Sequence, residues 1–294
     1  MRIDNERESD NVEDRRGSSQ GGRRGAPSMQ TMMMLWPFIK PLLKTKFGWV
    51  VIGIGTLAYF SGFDPIHLLD TKNKNSTHFN QKVDDKQAIF IKKVLSSTEN
   101  IWNKILPQYG LKYREPIVVL YRNGTHSKCG QASSQMGPFY CPSDEKVYLD
   151  LEFFNELSST YNSSGDFAQA YVLAHEIGHH IQNIQGTLNK VQKLKQRVRS
   201  QSKSNALQVK VELQADCYAG AWAYHAHKQF NILEKGDVQE ALQAASSIGD
   251  DNLMKASGRA VRVENFTHGS SKQRVKWFKK GLESGDLRVC NTFG

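Results

Sequence analysis

The feature that most constrains this chain is an apolar helical segment with ionisable side chains inside it. Residues 167–184 are mostly apolar, yet they contain His175, Glu176 and His179 in the pattern H-E-x-x-H. Imidazoles four residues apart project from the same face of a helix, where they can bind one Zn²⁺ at about 2.0–2.1 Å each. On a buried helix, ionisable side chains need partners. The alternative is that this helix is exposed, in which case the three side chains need none. The segment therefore predicts a zinc site with His175 and His179 as ligands.

Glu176 directly follows the first of these histidines. It can lean toward the metal without binding it, and a zinc-bound water has a pKa of about 7. Glu176 is therefore expected to act as the general base that takes a proton from this water and later passes it to the leaving amine. The pattern predicts hydrolysis of a peptide or protein substrate by a zinc metalloprotease.

A second apolar segment, residues 209–222, offers the third protein ligand that a catalytic zinc site needs. It contains Glu212 and Asp216, again four residues apart on one helix face. Two buried carboxylates repel each other unless a cation lies nearby, which is either zinc or, in the alternative, an Arg or Lys side chain. We expect Glu212 to be the third ligand and Asp216 to accept a hydrogen bond from the free N–H of a ligand histidine. The other candidates for the third ligand are Asp216, His180, His225 and His227.

Further short segments complete a pattern that extends over nearly the whole chain. They are residues 11–17 (NVEDRRG), 129–130 (CG), 137–142 (GPFYCP), 175–180 (HEIGHH), 212–220 (ELQADCYAG), 267–271 (THGSS), 273–274 (QR) and 290–293 (CNTF). The two helical patterns alone resemble the gluzincin arrangement of zinc peptidases. Together, all these segments resemble the bacterial YpfJ-type family of putative neutral zinc metallopeptidases. The resemblance implies a zincin-like fold, one N-terminal membrane anchor and peptidase activity, and it implies no particular substrate.

Periodicity predicts the architecture around these motifs. The family resemblance implies that residues 82–294 form one zincin-like metallopeptidase domain, and the periodicity predicts the α+β class, mainly helical with a small sheet. Apolar residues at helical spacings predict a helix over 84–105. Runs rich in β-branched residues predict strands at 117–121 and 147–151. From residue 167 onward the pattern is mainly helical.

Ahead of this domain the chain changes character. Residues 1–28 contain almost no large apolar side chain and are predicted to be a disordered tail, followed by a basic and apolar juxtamembrane segment over 29–46. Residues 47–63 carry no charge, so a transmembrane signal anchor is predicted over 47–65, with a polar linker over 66–81. The alternative for the apolar stretch is a buried core helix.

Flanking charge predicts the orientation of this anchor. Residues 17–46 contain five basic residues and no acidic ones. The positive-inside rule then places the N-terminus in the cytoplasm and the catalytic domain outside it. In a bacterium this predicts a single-pass protein of the inner membrane with a periplasmic catalytic domain, in contact with membrane lipid through residues 47–65.

All four cysteines follow the predicted anchor, on the side that we assign to an oxidising compartment. Two disulfides are expected there: Cys129–Cys141, closing a short loop, and Cys217–Cys290, tying the second zinc helix to the C-terminus. Four cysteines allow three pairings, and four buried thiols are the alternative.

Two further features are given a role at the site. His268 lies at a predicted loop-to-helix junction, where it is expected to donate a hydrogen bond to the oxyanion of the tetrahedral intermediate. A structural donor is the alternative, and Tyr218 is a weaker candidate for the same role. Part of residues 134–150 is expected to form an edge strand that holds the substrate through main-chain hydrogen bonds, or else an ordinary core strand.

The net charge of +10 raises another class of function. A nucleic-acid-binding protein is not expected, because the densest basic stretch, residues 190–210, lacks interleaved aromatic side chains. A non-catalytic, zinc-containing scaffold or binding protein of the cell envelope is the alternative to an enzyme. A structural zinc site usually has four protein ligands, however, and would leave Glu176 without a role.

Overall fold

The computed structural model describes residues 1–17, 81–133, 136–160 and 163–294. The segment predicted to span a membrane, residues 47–65, lies outside the described residues, as do most of its flanks. Within the described ranges, no helix combines the length and the apolar character needed to cross a bilayer.

The described residues form six strands and eight helices, which confirms the mainly helical α+β class with a small sheet. The strands are β1 (Val12–Asp14), β2 (Ile117–Tyr121), β3 (Gly124–Ser127), β4 (Gly130–Ser133), β5 (Phe139–Cys141) and β6 (Lys146–Asp150). The helices are α1 (Gln81–Ile105), α2 (Glu152–Ser159), α3 (Asp166–Ile184), α4 (Thr187–Arg197), α5 (Gln201–Phe230), α6 (Asp237–Ser247), α7 (Asp250–Ala256) and α8 (Ser271–Ser284). Short 3₁₀ helices lie at Leu106–Tyr109, Val263–Asn265 and Leu287–Cys290.

The main sheet has the strand order β1-β2-β6-β5. The strands β1, β2 and β6 are parallel, and β5 pairs antiparallel with β6 at one edge. The two central strands, β2 and β6, are rich in β-branched and aromatic residues and almost fully buried, as expected for strands covered on both faces. A separate two-stranded hairpin, β3–β4, forms from the Gly- and Ser-rich stretch that follows β2.

The helices that carry the two motifs pack against each other in the core. Their contact is apolar except at the ionisable positions, and the ring of Phe167 on α3 stacks on Trp222 of α5 at 6.1 Å between centroids. On its other side α5 packs against α8 at very short range. A β-carbon at Gly220 would lie 2.1 Å from the carbonyl oxygen of Phe278, and one at Gly281 would lie 1.9 Å from that of Cys217. These two glycines therefore allow the backbones of α5 and α8 to touch.

Both disulfides expected from the sequence are present. Cys129 and Cys141 join the β3–β4 hairpin to β5, with their Cα atoms 5.8 Å apart. Cys217 and Cys290 join α5 to the C-terminal 3₁₀ helix, with a Cα separation of 5.5 Å.

The disorder predicted for residues 1–28 is wrong for residues 1–17. The strand β1 forms the edge of the main sheet, pairing with β2. Polar contacts hold the segment before it, because the buried carboxylate of Glu99 accepts hydrogen bonds from Ser9 at 2.5 Å and from Asn11 at 2.8 Å. Low apolar content predicted disorder here, whereas main-chain pairing and buried polar contacts stabilise the segment instead.

This strand also bears on the predicted orientation in a membrane. Residues 1–17 and 82–294 belong to one compact unit. Strands that share a sheet must lie on the same side of any bilayer. An arrangement with the N-terminus in the cytoplasm and the catalytic domain outside it therefore conflicts with the pairing of β1 and β2.

Candidate metal centre

The helices α3 and α5 bring the three predicted ligands to one point. The Oε2 atom of Glu212 lies 3.2 Å from His175 Nε2 and 3.4 Å from His179 Nε2. One donor atom from each of the three residues lies within 4.8 Å of the others, and no further His, Cys, Asp or Glu of the described residues joins this group. Two imidazole nitrogens and one carboxylate oxygen are a donor set that suits Zn²⁺ and leaves a position open. The residues therefore fit the metal that the motif predicts.

The outer nitrogens of both histidines are held by hydrogen bonds that turn Nε2 toward this point. His175 Nδ1–H donates to Asp216 Oδ1 at 2.8 Å, as predicted. His179 Nδ1–H donates to Gln182 Oε1 at 2.9 Å. The amide group of Gln182 is itself oriented, because its nitrogen donates to the carbonyl oxygen of Val211 at 2.7 Å. Such contacts fix the tautomer and the ring orientation of a ligand histidine.

Asp216 is fully buried and is neutralised by a buried arginine of α8. Arg274 donates from Nε to Oδ2 at 2.9 Å and from a terminal nitrogen to Oδ1 at 2.8 Å, and Tyr171 also donates to Oδ1 at 2.5 Å. Burial alone would raise the pKa of Asp216, but Arg274 and His175 outweigh it and lower the pKa to about 2. The sequence predicted that either zinc or a basic side chain lies near this pair of carboxylates. Arg274 is that basic side chain for Asp216, whereas Glu212 faces the two histidines.

Sequence reasoning assigned no role to Arg274, although a signal was present. Arg274 shares helical spacing with Phe278 and Gly281, and these three form the buried face of α8. The rest of that helix is rich in exposed lysine. A single arginine on the apolar face of a basic helix indicates a buried ion pair.

Both carboxylate oxygens of Glu212 have partners, since Oε2 faces the two histidines and Oε1 accepts a separate hydrogen bond. Its Oε1 atom accepts a hydrogen bond from Gln208, one turn earlier on α5, at 2.6 Å, and Gln208 in turn accepts one from Lys195 of α4. Burial would raise the pKa of Glu212, but the two histidines hold it well below its usual value. Burial would likewise lower the pKa of His179, but the Glu212 carboxylate raises it to about 9. The carboxylate is therefore ionised, which suits a ligand for a divalent cation.

Glu176 differs from the other ionisable groups of the centre. It is 7% exposed and lines a cavity, and it makes no ion pair or side-chain hydrogen bond within the described part of the chain. A carboxylate beside the ligand cluster with both oxygens available can accept a proton from a bound water.

The cavity in front of the centre has a volume of about 810 Å³. Its lining includes Phe139 and Tyr140 of β5, the edge strand, and residues of α4 and α7. The predicted substrate-binding strand within 134–150 thus corresponds to β5, which lies both at the sheet edge and at the cavity. Apolar side chains make up much of the lining, namely Met136, Phe139, Phe153, Val172, Leu188, Val191, Ile248 and Leu253.

His268 also lines this cavity, just before α8. Its Nδ1 atom lies 3.2 Å from Oδ1 of Asp250, and its side chain is 50% exposed. The backbone N–H groups of Thr267, His268 and Gly269 all donate to Oδ2 of Asp250, at 2.6–2.9 Å. Asp250 was not anticipated from the sequence, because it precedes His268 by 18 residues and carries no motif of its own.

The remaining candidates lie elsewhere. His180 donates from Nε2 to the carbonyl oxygen of Arg114 and accepts a hydrogen bond at Nδ1 from Tyr140, at 2.9 Å, so it joins α3 to β5 instead of binding metal. His225 contacts the carbonyl oxygen of Gly285, and His227 accepts from a backbone N–H. Tyr218 donates to Gln185 and is not part of the cavity wall.

A family model described as "Putative neutral zinc metallopeptidase" matches residues 1–293. The chain is 42% identical over 297 residues to the uncharacterized protein YpfJ of Escherichia coli K12, covering 100% of this chain and 99% of that protein. It is 41% identical over 208 residues to the uncharacterized protein Rv2575 of Mycobacterium tuberculosis, covering 67% of this chain and 68% of that protein. No solved structure matches the chain.

Proposed function

The chain belongs to the putative neutral zinc metallopeptidase family, and from this premise we propose that it is a membrane-anchored zinc endopeptidase with a zincin-like catalytic domain. His175, His179 and Glu212 would hold the metal, and Glu176 would act as the general base. Asp216 would fix the orientation of His175.

The observation that carries this proposal is the contrast between Glu176 and its neighbours. The three ligand groups converge on one point, while Glu176 lies beside them with its carboxylate unpaired and facing the cavity. A purely structural zinc site has no use for such a group, because its coordination is closed by protein ligands. This contrast favours an enzyme over the alternative, a non-catalytic zinc-containing scaffold of the cell envelope.

The roles of the chain's own residues follow from their positions. When bound, Zn²⁺ would act as a Lewis acid on the scissile carbonyl and on the attacking water. Glu176 takes up a proton from that water at its carboxylate and delivers it to the leaving nitrogen. The main chain of β5, at the edge of the sheet, offers hydrogen bonds to an extended substrate.

His268 completes the proposal on the other side of the cavity. Asp250 accepts a hydrogen bond from Nδ1 of His268, which leaves Nε2 free of partners within the described residues. From there His268 would donate a hydrogen bond to the oxyanion that develops on the substrate carbonyl. The same contact would make Asp250 a positioning residue for His268.

We also place the protein at a bacterial inner membrane, held through residues 47–65, with the catalytic domain outside the cytoplasm. The uncharged stretch 47–63 and the two disulfides support this location. Because β1 pairs with β2, residues 1–17 would lie on the same side as the catalytic domain, so the stretch 47–65 would enter the membrane without crossing it a single time.

The experiment that tests the function measures zinc content and peptide hydrolysis on the full chain. We expect the wild type to hold about one zinc and to cleave peptides. Glu176→Gln should keep the zinc and lose about 10²–10⁴-fold in turnover, because only proton transfer is removed. Glu212→Ala should lose the metal.

Glu156→Gln is the matched control, since Glu156 is a carboxylate of the same cavity with no ion pair in the described structure. It should change neither zinc content nor turnover by a comparable amount. A wild type that holds zinc and cleaves no peptide in a broad library would favour the scaffold. A wild type that binds no zinc would contradict the proposal altogether.

A further inference from the structure

Two stretches of the chain contain basic residues and no acidic ones around one part of the fold. Residues 177–211 contain seven Lys or Arg and no Asp or Glu, and residues 252–263 contain three more, again without an acidic residue. These ten basic residues equal the net charge of the whole chain, +10, so the rest of the chain is balanced.

The two stretches meet around the N-terminal end of α5. On one side, Lys195 of α4 donates to Gln208 of α5. On the other side, Asn205 of α5 donates to the carbonyl oxygen of Glu264, directly after the second stretch, at 2.9 Å. Both stretches also contribute to the wall of the catalytic cavity, through α4 and through Leu253. The charge thus surrounds one side of the cavity mouth.

We name the exposed basic residues of this region the basic rim. They are Lys190, Lys193, Arg197, Arg199, Lys203, Lys255, Arg259 and Arg262. All eight are exposed, and none forms an ion pair with another residue in the described ranges. The neighbouring carboxylates of Asp250 and Asp251 form no ion pair with the rim, and they accept hydrogen bonds from the backbone N–H groups of His268 and Ser271 instead.

Exposed apolar side chains alternate with the arginines in one part of the rim. Val261 is 41% exposed and Val263 is 73% exposed, on either side of Arg262. Most of the Val263 side chain therefore faces solvent. Alternating apolar and cationic side chains suit the interfacial region of a bilayer. There the apolar side chains contact acyl chains and the cationic side chains contact phosphate groups.

We propose that the basic rim binds the surface of a bilayer rich in anionic lipid, with Val261 and Val263 at the level of the headgroups. An anionic leaflet attracts clusters of basic residues. A single-stranded nucleic acid would instead require aromatic platforms for its bases, and the rim has none. Docking there would hold the mouth of the cavity next to the membrane surface. The proposal is independent of whether the centre hydrolyses peptides.

The test places a fluorescent probe on the rim of the full chain. Val263→Cys gives a single reactive thiol, because the four native cysteines are paired. The labelled protein is held in a nanodisc of phosphatidylcholine and titrated with vesicles of phosphatidylcholine and phosphatidylglycerol that carry a nitroxide near the headgroup. We expect a blue shift and quenching of the probe, absent with pure phosphatidylcholine vesicles and abolished in 1 M salt.

Charge variants then measure the contribution of the rim. In Arg259→Gln/Arg262→Gln the vesicle concentration at half-saturation should rise about thirtyfold, since each basic side chain near an anionic surface contributes roughly fivefold. Lys276→Gln/Lys279→Gln is the matched control, because it removes two exposed lysines of α8 that lie outside the rim. It should shift the midpoint much less. A probe at Gln229, at the far end of the 30-residue α5, should show no quenching.

Three outcomes would overturn the proposal. The first is a Val263→Cys probe that stays in water at every vesicle concentration. The second is an equal weakening by the α8 control, which would show attraction by net charge alone. The third is a blue shift that a poly-glutamate peptide produces without lipid, together with competition between this peptide and the vesicles. That result would identify the rim as a site for acidic polypeptides.

Discussion

At the residue scale, the two ligand histidines are supported in different ways. His175 donates to the buried carboxylate of Asp216, whereas His179 donates to the neutral amide of Gln182. A carboxylate behind an imidazole raises its basicity more than an amide does. Both rings therefore have one tautomer fixed, His175 by a carboxylate that Arg274 neutralises and His179 by a neutral amide.

Gln208 offers a test of how much the support of Glu212 matters. We expect Gln208→Leu to weaken zinc affinity about 10–100-fold, because Oε1 of Glu212 loses its donor and the carboxylate is free to rotate. Competition with a chromogenic chelator measures the affinity. Gln192→Leu, a glutamine of the same cavity wall without a side-chain hydrogen bond in the described structure, should leave the affinity unchanged. Equal affinities for wild type and Gln208→Leu would contradict this role.

His180 gives a prediction about pH. Burial lowers its pKa below the ordinary value of 6.5, so as pH falls the unfolded chain takes up a proton before the folded one does. The stability that the neutral ring contributes is present above about pH 6.5 and declines as pH falls toward the folded-state pKa. His180→Phe should therefore be less stable than the wild type by about 1–3 kcal/mol at neutral pH, with the difference shrinking in acid. Urea unfolding of the zinc-loaded proteins at several pH values measures this difference in the free energy of unfolding. The control is His126→Phe, at an exposed position of β3.

The ligands could be predicted from the sequence because their spacing is local. His175, Glu176 and His179 lie on one helical turn, and the pair Glu212 and Asp216 follows the same rule. The residues that orient them were not predicted, with the exception of Asp216. Gln182, Gln208 and Arg274 become partners only through the packing of α3, α5 and α8, which a residue spacing does not encode.

At the scale of elements, one buried ion pair connects the three helices of the centre. Arg274 of α8 contacts Asp216 of α5, and the same guanidinium donates to Tyr171 of α3 at 3.1 Å. The backbones of α5 and α8 also touch at Gly220 and Gly281. The position of His175 therefore depends on a helix that contributes no ligand.

Removing one charge of this pair should cost more than removing both. Arg274→Met leaves Asp216 buried and unpaired, so the free energy of unfolding should fall by about 3–5 kcal/mol. The double variant Asp216→Asn/Arg274→Met should recover part of the loss, because no uncompensated charge remains buried. Urea denaturation of the metal-free proteins gives these values. The pair is not coupled if the double variant loses as much free energy of unfolding as Asp216→Asn and Arg274→Met lose in sum.

Element boundaries were predictable where apolar periodicity is strong. The helix expected over 84–105 is α1, and the strands expected at 117–121 and 147–151 are β2 and β6, shifted by one residue in the second case. The hairpin β3–β4 is not predicted by the periodicity, because its strands consist of Gly, Ser, Thr and other residues with weak apolar alternation. The pairing of β3 with β4 and the Cys129–Cys141 disulfide stabilise the hairpin. Neither interaction produces a periodic pattern in the sequence.

At the scale of the whole molecule, the fold is closed by a segment from the far end of the chain. The strand β1 pairs with β2 across about a hundred residues of sequence. Its neighbours are anchored as well, since Arg16 donates to the buried carboxylate of Asp84 on α1 at 2.9 Å. The stretch of sequence with the least apolar content in this unit is thus an integral part of its sheet.

The shared sheet predicts how both parts respond to a reagent outside the cell membrane. Single thiols at Asp10→Cys and at Lys112→Cys, both exposed positions, should react alike with a membrane-impermeant maleimide in intact spheroplasts. Residues 1–17 and the catalytic domain must lie on one side if β1 is paired. Lysed spheroplasts, in which both positions should react, provide the control. Labelling of one position alone would mean that the strand pairing does not persist in the membrane.

The distance in sequence between β1 and β2 also sets an order of events during synthesis. A ribosome adds roughly 5–20 residues per second, so β1 waits about 5–20 s for β2 to emerge and longer for β6. All residues between the two strands, including the apolar stretch 47–63, are synthesised before β1 can pair. The sheet therefore closes late, because its edge strand can pair only after about a hundred further residues have left the ribosome.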